Sequence, residues 1–337
     1  MRILLDAMGG DYAPRVTVDG AFNAIKERPG LEVVLYGDRD LILDEFKRHK
    51  TDKVPGIVHC SQSIDMHDAP LVAVRSKKDS SIVRGINDLK NGIGDAFVSA
   101  GNTGALMSAS LLILGRMASV HRPALAAYIP TEKGGCILCD VGANPSPKPL
   151  DLLQNGFMAA YYAEILLKKK NPTVGLLNIG EEAFKGSHFD RSTFELLEKM
   201  MPNFIGNVEG NGILRGKADV VITDGFTGNI LIKFGESIFE FFFSQLKQHV
   251  NDSLLSKIGG LFMKGSFRKI KEDLNYEAIG GAPLLGVKGI SIKAHGHSSA
   301  RAICNAVLSA EKYVSQKLVE KTNDRLKMLN KELKIFS

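Results

Sequence analysis

Short aliphatic runs recur along this chain, each followed by a turn rich in glycine, aspartate or asparagine and then by apolar residues at helical spacing. The runs at 3–6, 32–36, 57–60, 96–99, 125–129, 137–141, 174–178, 220–223 and 289–293 predict strands. Helical periodicity follows at 15–27, 39–49, 81–90, 104–117, 150–168, 189–200, 228–249 and 299–330. Strands alternating with helices of this length predict an α/β fold of three layers, with a large, mostly parallel sheet covered on both faces. The chain 1–337 reads as one unit with two additions, a basic amphipathic protrusion over 250–272 and a long C-terminal helix over 299–334.

In such sheets, ligands bind where loops gather at the carboxyl ends of the strands. Six turns share one chemistry: Met8-Gly9-Gly10-Asp11, Ser99-Ala100-Gly101-Asn102-Thr103-Gly104, Gly142-Ala143-Asn144-Pro145, Asn178-Ile179-Gly180-Glu181, Asp224-Gly225-Phe226-Thr227-Gly228-Asn229 and His295-Gly296-His297-Ser298-Ser299. Glycine lets the backbone approach a ligand, and a helix N-terminus offers unpaired N–H groups to an anion. One such turn is an ordinary tight connection. Six predict a phosphate or oxyanion site at one edge of the sheet.

Composition narrows this picture. Hydrophobic residues at 44% and charged residues at 24% exclude disordered, collagen-like and coiled-coil classes. Tryptophan is absent and aromatics total 7%, which argues against base stacking, so no nucleic-acid partner is expected. A formal charge of +6 suits an acidic partner, phosphate or an anionic membrane surface. Cys136 and Cys139 form a lone C-x-x-C in a predicted buried strand and read as packing residues, not a redox or zinc pair. The uncharged stretch 96–115 is too interrupted by Ser99, Gly101, Asn102 and Thr103 to span a membrane, and the N-terminus has no signal-peptide architecture. A cytoplasmic protein is expected.

Neither a dinucleotide fingerprint nor a Gly-x4-Gly-Lys phosphate loop is present, the histidines lack metal-ligand spacing, and there is no Gly-x-Ser-x-Gly elbow. These absences suit a reaction in which phosphate itself is the nucleophile, which needs positioning, polarisation of the electrophile and exclusion of water. Five of the six turns, all but Gly142-Ala143-Asn144-Pro145, with Ala13-Pro14 after the first, Lys185-Gly186 after Asn178-Ile179-Gly180-Glu181, and Gly281-Ala282-Pro283-Leu284-Leu285-Gly286 ahead of the last, resemble the bacterial PlsX family over nearly the whole chain. The resemblance implies transfer of a fatty acyl group from acyl carrier protein to inorganic phosphate for phospholipid synthesis. It also implies a fold like that of isocitrate and isopropylmalate dehydrogenases and phosphotransacetylase, a homodimer, no cofactor, and a membrane acyltransferase downstream that uses the acyl phosphate.

That chemistry builds negative charge on the carbonyl oxygen and on the departing sulfur. On this reading Lys185 stabilises the oxyanion or phosphate, and Asn229 donates toward the same point. Gly101, Asn102, Thr103, Gly104, Gly228 and Ser298 grip phosphate, and His188 or His297 protonates the thiolate. Read more plainly, Lys185 is a solvated lysine, the two asparagines are helix caps and the histidines are structural.

Between 253 and 271, Leu254, Leu255, Ile258, Leu261 and Phe262 fall on one helical face beside Lys257, Lys264, Arg268, Lys269 and Lys271. This pattern suits transient attachment to the inner face of the membrane, a docking surface for the acidic carrier protein, or a dimer edge. Gly259-Gly260 weakens a helix and predicts a mobile hairpin tip. The competing functions are a phosphotransacetylase acting on acyl-CoA, a dehydrogenase of related fold, and a non-catalytic membrane scaffold of lipid synthesis.

Overall fold

The computed structural model describes residues 1–274 and 279–336. Within them the strands are β1 (Arg2–Asp6), β2 (Glu32–Gly37), β3 (Gly56–His59), β4 (Ala96–Ser99), β5 (Ala124–Thr131), β6 (Gly134–Cys139), β7 (Val174–Leu177), β8 (Phe204–Val208), β9 (Val220–Ile222), β10 (Ala282–Leu285) and β11 (Ile290–Lys293). The helices of the first half are α1 (Arg15–Glu27), α2 (Arg39–Phe46), α3 (Pro70–Ser76), α4 (Ser81–Lys90) and α5 (Thr103–Ala109), the last running into a π-helical turn at Ser110–Leu114. Those of the second half are α6 (Pro149–Leu167), α7 (His188–Met200), α8 (Gly210–Leu214), α9 (Gly225–Asn251), α10 (Leu254–Asp273), α11 (Ala300–Ser315) and α12 (Leu318–Phe336).

Period-two alternation along the strands divides their side chains between two faces. Ile3, Leu5, Val33, Leu35, Val98, Ile137, Val220 and Ile222 join one large core beneath α1, α6, α7, α11 and α12. On the other face Leu4, Tyr36 and Phe97 pack under α3, α4 and α5, while Leu138 and Val221 pack with Ile213 of α8. One face is therefore continuous and the other is split, in three layers overall. Cys136 and Cys139, three positions apart, fall into opposite cores and cannot share a ligand. Burial pushes the Cys136 thiol up to about 12, as expected of a packing residue.

The sheet order is β3-β2-β1-β4-β11-β10-β5-β6-β9-β7-β8. Three consecutive pairings, β11 with β10, β10 with β5 and β5 with β6, are antiparallel. An odd number of reversals leaves β6, β9, β7 and β8 parallel to one another but opposed to β3, β2, β1, β4 and β11. The expectation that all six turns share one edge is corrected here. Three follow β1, β4 and β11, and three follow β6, β7 and β9 at the other edge.

Two further expectations are corrected. The C-terminal segment 299–334 is not one helix, because Lys317 adopts a left-handed conformation (φ 58°) between α11 and α12. That turn folds α12 back onto α6, where Arg325 makes a two-bond contact with Glu164 at 2.9 Å and Leu326 and Leu329 are buried. The hairpin tip is not at Gly259-Gly260, through which α10 passes unbroken. The reversal lies at Asp252-Ser253, and Gly260 is needed because a Cβ there would collide with Val250 of α9. Among the described residues no helix is long and apolar enough to cross a membrane.

Candidate active site

At the first edge the carboxyl ends of β1, β4 and β11 meet in a buried polar knot. Asp6 accepts from Ser99 Oγ at 2.6 Å and from the Met8 N–H at 3.1 Å, and burial raises its carboxyl above the ordinary range. Lys293 Nζ donates to the carbonyls of Ala100, at 3.0 Å, and of Ala294. Burial lowers the Lys293 ammonium to about 8, against the opposing pull of Asp6 and Asp11. Between that value and the ordinary 10.5 the folded protein has released a proton that the unfolded chain still holds. Stability should therefore rise as pH climbs from 8 to 10.5, by up to about 3 kcal/mol. Urea unfolding at pH 7 and pH 10 should show this gain relative to Lys293→Met, which cannot titrate. Equal pH dependence in both proteins would remove the buried charge as its cause.

Asn102 has no side-chain donor left for phosphate. Its Nδ2 donates to the carbonyls of Asp65, Met66 and Asp68 at 3.1–3.2 Å, and its Oδ1 caps α5 through the Ala105 N–H. The expected phosphate grip by this side chain is therefore corrected to a structural clasp. Gly101 packs against Asp6 and Gly104 against Pro70, with Thr103 half-buried between Asn102 and Gly104. Ser298 is buried, and His297 Nδ1 lies 2.8 Å from Asp11 Oδ2 on an exposed rim.

At the second edge Asp140, wholly buried, accepts four backbone N–H groups: Leu125 at 3.0 Å, Gly142 at 3.1 Å, Ala143 at 2.9 Å and Asn144 at 2.6 Å. This carboxylate folds the turn after β6. Its burial lifts the pKa, opposed by those same donors. The turn docks on the start of α9, where the Gly225 N–H donates to the Asn144 carbonyl at 2.9 Å. Gly228 is required there because a Cβ would collide with the Asp140 carbonyl oxygen. Asp224 caps α9 through the N–H groups of Phe226 and Thr227, so Asn229 is not the cap and its side chain faces Gly142.

After β7, Asn178 and Asn207 hold the next turn through the Lys185 and Glu182 carbonyls. Lys185 Nζ stands half-exposed, 4.0 Å from Glu182 Oε2 and 5.6 Å from the centre of the Phe184 ring. His188 opens α7 with Nδ1 3.5 Å from Ser192 Oγ. Since β9 alone separates β6 from β7, the turns carrying Asn144, Asn229 and Lys185 open from neighbouring strands spaced about 4.8 Å apart, and His188 opens the helix that follows the last of them.

The two edges communicate through α9. His295 at the first edge lies 3.5 Å from Glu236, two turns beyond Asn229, or about 10 Å along the helix. A single phosphate cannot touch both groups at once. Between them, where the split face divides, is a cleft of about 320 Å³ bounded by Met107 and Leu111, Asn144, Leu284, Arg116, His121 and Arg122. Sequence reasoning passed over these last three. His121-Arg122-Pro123 carries no glycine signature, and only the tertiary fold sets it opposite Asn144.

Among the described residues no three His, Cys, Asp or Glu side chains are placed to hold a metal ion. On α10, Leu255 and Phe262 are 83% and 86% exposed, with Ile258, Leu261, Lys264, Arg268 and Lys269 also at the surface. The side chains of Leu254 and Lys271 lie outside the described residues.

A three-layer fold with a directionally split sheet, anion-suited turns and a mixed cleft bearing Arg116, His121 and Arg122 suits a phosphate-handling α/β enzyme. The chain belongs to the family described as fatty acid synthesis protein, whose model matches residues 1–321, in agreement with the resemblance carried by the motifs. Relatives named phosphate acyltransferase include one from Alkaliphilus oremlandii, 44% identical over 330 residues, covering 98% of both chains. Another, from Brevibacillus brevis, is 46% identical and covers 95% of this chain and 96% of its own. Among solved structures, a phosphotransacetylase from Streptococcus pyogenes superposes with a TM-score of 0.61 at 15% identity over 94% of both chains. A branched-chain phosphotransacylase from Enterococcus faecalis superposes at 0.57 and 14%, covering 93% of this chain and 99% of that one. These likenesses show a shared fold.

Proposed function

We propose that the protein moves a fatty acyl group from the thioester of acyl carrier protein to inorganic phosphate, releasing acyl phosphate and the free carrier thiol. Phosphate attacks directly, with no acyl group held on the protein. The observation that carries this reading is the edge formed after β6, β9 and β7, whose turns bear Asn144, Asn229 and Lys185 and lead to His188, with Asn144 on the wall of the cleft. Lys185 and Asn229 act there on the carbonyl oxygen, with Gly228 allowing the close docking that places Asn229. His188 shares this edge, whereas Ser298, His297 and the 101–104 turn stand at the other and act on a more distant part of the substrate. The fold is read as that of isocitrate and isopropylmalate dehydrogenases.

The test is to incubate the purified protein with acyl carrier protein thioester and phosphate and to trap acyl phosphate with hydroxylamine. Phosphate-dependent hydroxamate is expected. Its absence, with the thioester intact, would leave the scaffold reading. Faster reaction with acyl-CoA than with the carrier protein would favour a phosphotransacetylase, the activity named for the structural neighbours.

The protein is further read as a homodimer. Phe226, Ile230, Phe234, Ile238 and Phe241 form an exposed apolar stripe along α9, of the kind a second copy would cover. Sedimentation at the mass of one chain would remove this. The apolar tip of α10 is read as a transient contact with the inner membrane surface, where a membrane acyltransferase would collect the product. Phe262→Asp with Leu255→Asp should abolish flotation with anionic vesicles while leaving transfer from soluble donor intact. Flotation unchanged by both substitutions would assign the tip elsewhere. Charge reversal at Arg268 and Lys269 that weakens carrier-protein binding alone would assign those residues to the donor.

A further inference from the structure

The cleft between α5 and the turn after β6 contains a histidine fixed by a buried acid. His121 Nδ1 lies 2.6 Å from Asp151 Oδ1, and the second oxygen of Asp151 accepts the Lys148 N–H at 2.7 Å in the first turn of α6. The histidine backbone is held as well, since its N–H donates to Gln154 Oε1 at 2.8 Å. With Nδ1 engaged by the carboxylate, Nε2 is the free nitrogen, and among the described residues it has no protein partner. Among the described residues Arg122 beside it has no hydrogen-bond or ion-pair partner. Arg116 uses Nη1 on the carbonyls of Val120 and His121, at 2.8 and 3.0 Å, leaving its other N–H groups. Two guanidinium groups facing the same mixed cleft are a tetrahedral dianion's natural partners, because their forks match its oxygens.

We propose that this cleft seats the inorganic phosphate and that His121 carries the proton of the reaction, which deepens the transfer proposed above and rests on it. An oxygen of hydrogenphosphate attacks the thioester carbon, so a C–O bond forms as the C–S bond breaks. Hydrogenphosphate brings one proton, the acyl phosphate dianion keeps none, and the departing sulfur needs one. His121 Nε2 takes that proton from phosphate and returns it to the sulfur, so charge and atoms balance without another reactant. Arg122 and Arg116 hold the phosphate. Asp151 is a positioning residue: it keeps the imidazole tautomer that leaves Nε2 able to accept. The turn bearing Asn144 is the shared wall with Asn229, so the seat adjoins Asn229 at the second edge.

Steady-state rates with acyl carrier protein thioester and phosphate test this. Arg122→Ala should raise KM for phosphate by at least about tenfold while KM for the acyl donor stays within about twofold. His121→Ala should lower kcat by about a hundredfold or more, and added imidazole should recover part of that loss. Asp151→Asn should also lower kcat, and the double variant with His121→Ala should be no slower than His121→Ala alone, which a structural role for Asp151 would not produce. An unchanged phosphate KM in Arg122→Ala overturns the seat. Normal kcat in His121→Ala, or a loss that imidazole leaves untouched, overturns the proton relay. Either result leaves the proposed acyl transfer standing if the wild-type protein still forms acyl phosphate. A wild-type protein that forms none removes both.

Discussion

Replacing Asp140 with alanine is expected to destabilise the protein by about 3–5 kcal/mol, in the range reserved for broken buried networks. The side chain is wholly buried and is the acceptor for four backbone N–H groups, that of Leu125 buried and those of Gly142, Ala143 and Asn144 part-buried. Each buried donor left unpaired costs about 1–3 kcal/mol, and relief of the buried charge recovers part of the sum. Asparagine separates these contributions. Its oxygen can keep the three donors on the Oδ1 side, while its amide would meet the Asn144 N–H donor to donor, so it should lose about a third as much. Because the same turn carries Asn144 and docks on Gly225 and Gly228, activity should fall in both variants before unfolding is seen. Urea midpoints of the three proteins decide this. An alanine variant within about 1 kcal/mol of wild type would show that the turn holds itself, and that Asp140 only fills space.

The alternation in the strands was legible in the chain. Ala96–Ser99, Arg15–Glu27 and Ser81–Lys90 stand where their patterns put them, because a strand buried on both faces or a helix with one apolar side announces itself locally. Two strands escaped. Phe204–Val208 sits at the sheet margin with mixed polarity, and Ala282–Leu285 contains Pro283, which ordinarily argues against a strand. β10 is antiparallel to both neighbours, so it leaves β11 and β5 pointing the same way. The net reversal that separates the turns is made by the antiparallel pairing of β5 with β6. Local pattern cannot reveal pairing direction, since the same residues alternate in either sense.

The candidate site divides on the same lines. Asn229 and Lys185 were readable because they sit in turns whose glycines mark close backbone approach. Asn102 was readable as a turn residue, but the carbonyls of Asp65, Met66 and Asp68 that consume its amide are more than thirty residues away in sequence. His121 and Arg122 carried no local mark. Asp151, thirty residues further along, makes His121 distinctive, and only the packing of α6 against that loop brings the pair together.

Lys185→Ala is expected to lower turnover by at least about a hundredfold, equivalent to about 2.7 kcal/mol of transition-state stabilisation. The lysine is half-exposed, and its nearest carboxylate, Glu182, is 4.0 Å away and itself in solvent, so removing the ammonium leaves no buried group unpaired. Such surface pairs contribute about 0–1 kcal/mol, and the fold should be unaffected. A loss of turnover in a variant of normal urea midpoint therefore reports chemistry. If the ammonium meets the developing oxyanion, kcat falls and KM for phosphate holds; if it grips phosphate in the ground state, KM rises instead. Asn229→Ala should behave alike, and the double variant should lose less than the product of the two single losses, because on the proposed reading both donors act on one oxygen. Near-normal turnover in folded Lys185→Ala would remove this residue from the site. Mass spectrometry of the wild-type protein during turnover supplies the complementary check: an acyl group found on Lys185 would replace direct attack by phosphate with a two-step route through the protein.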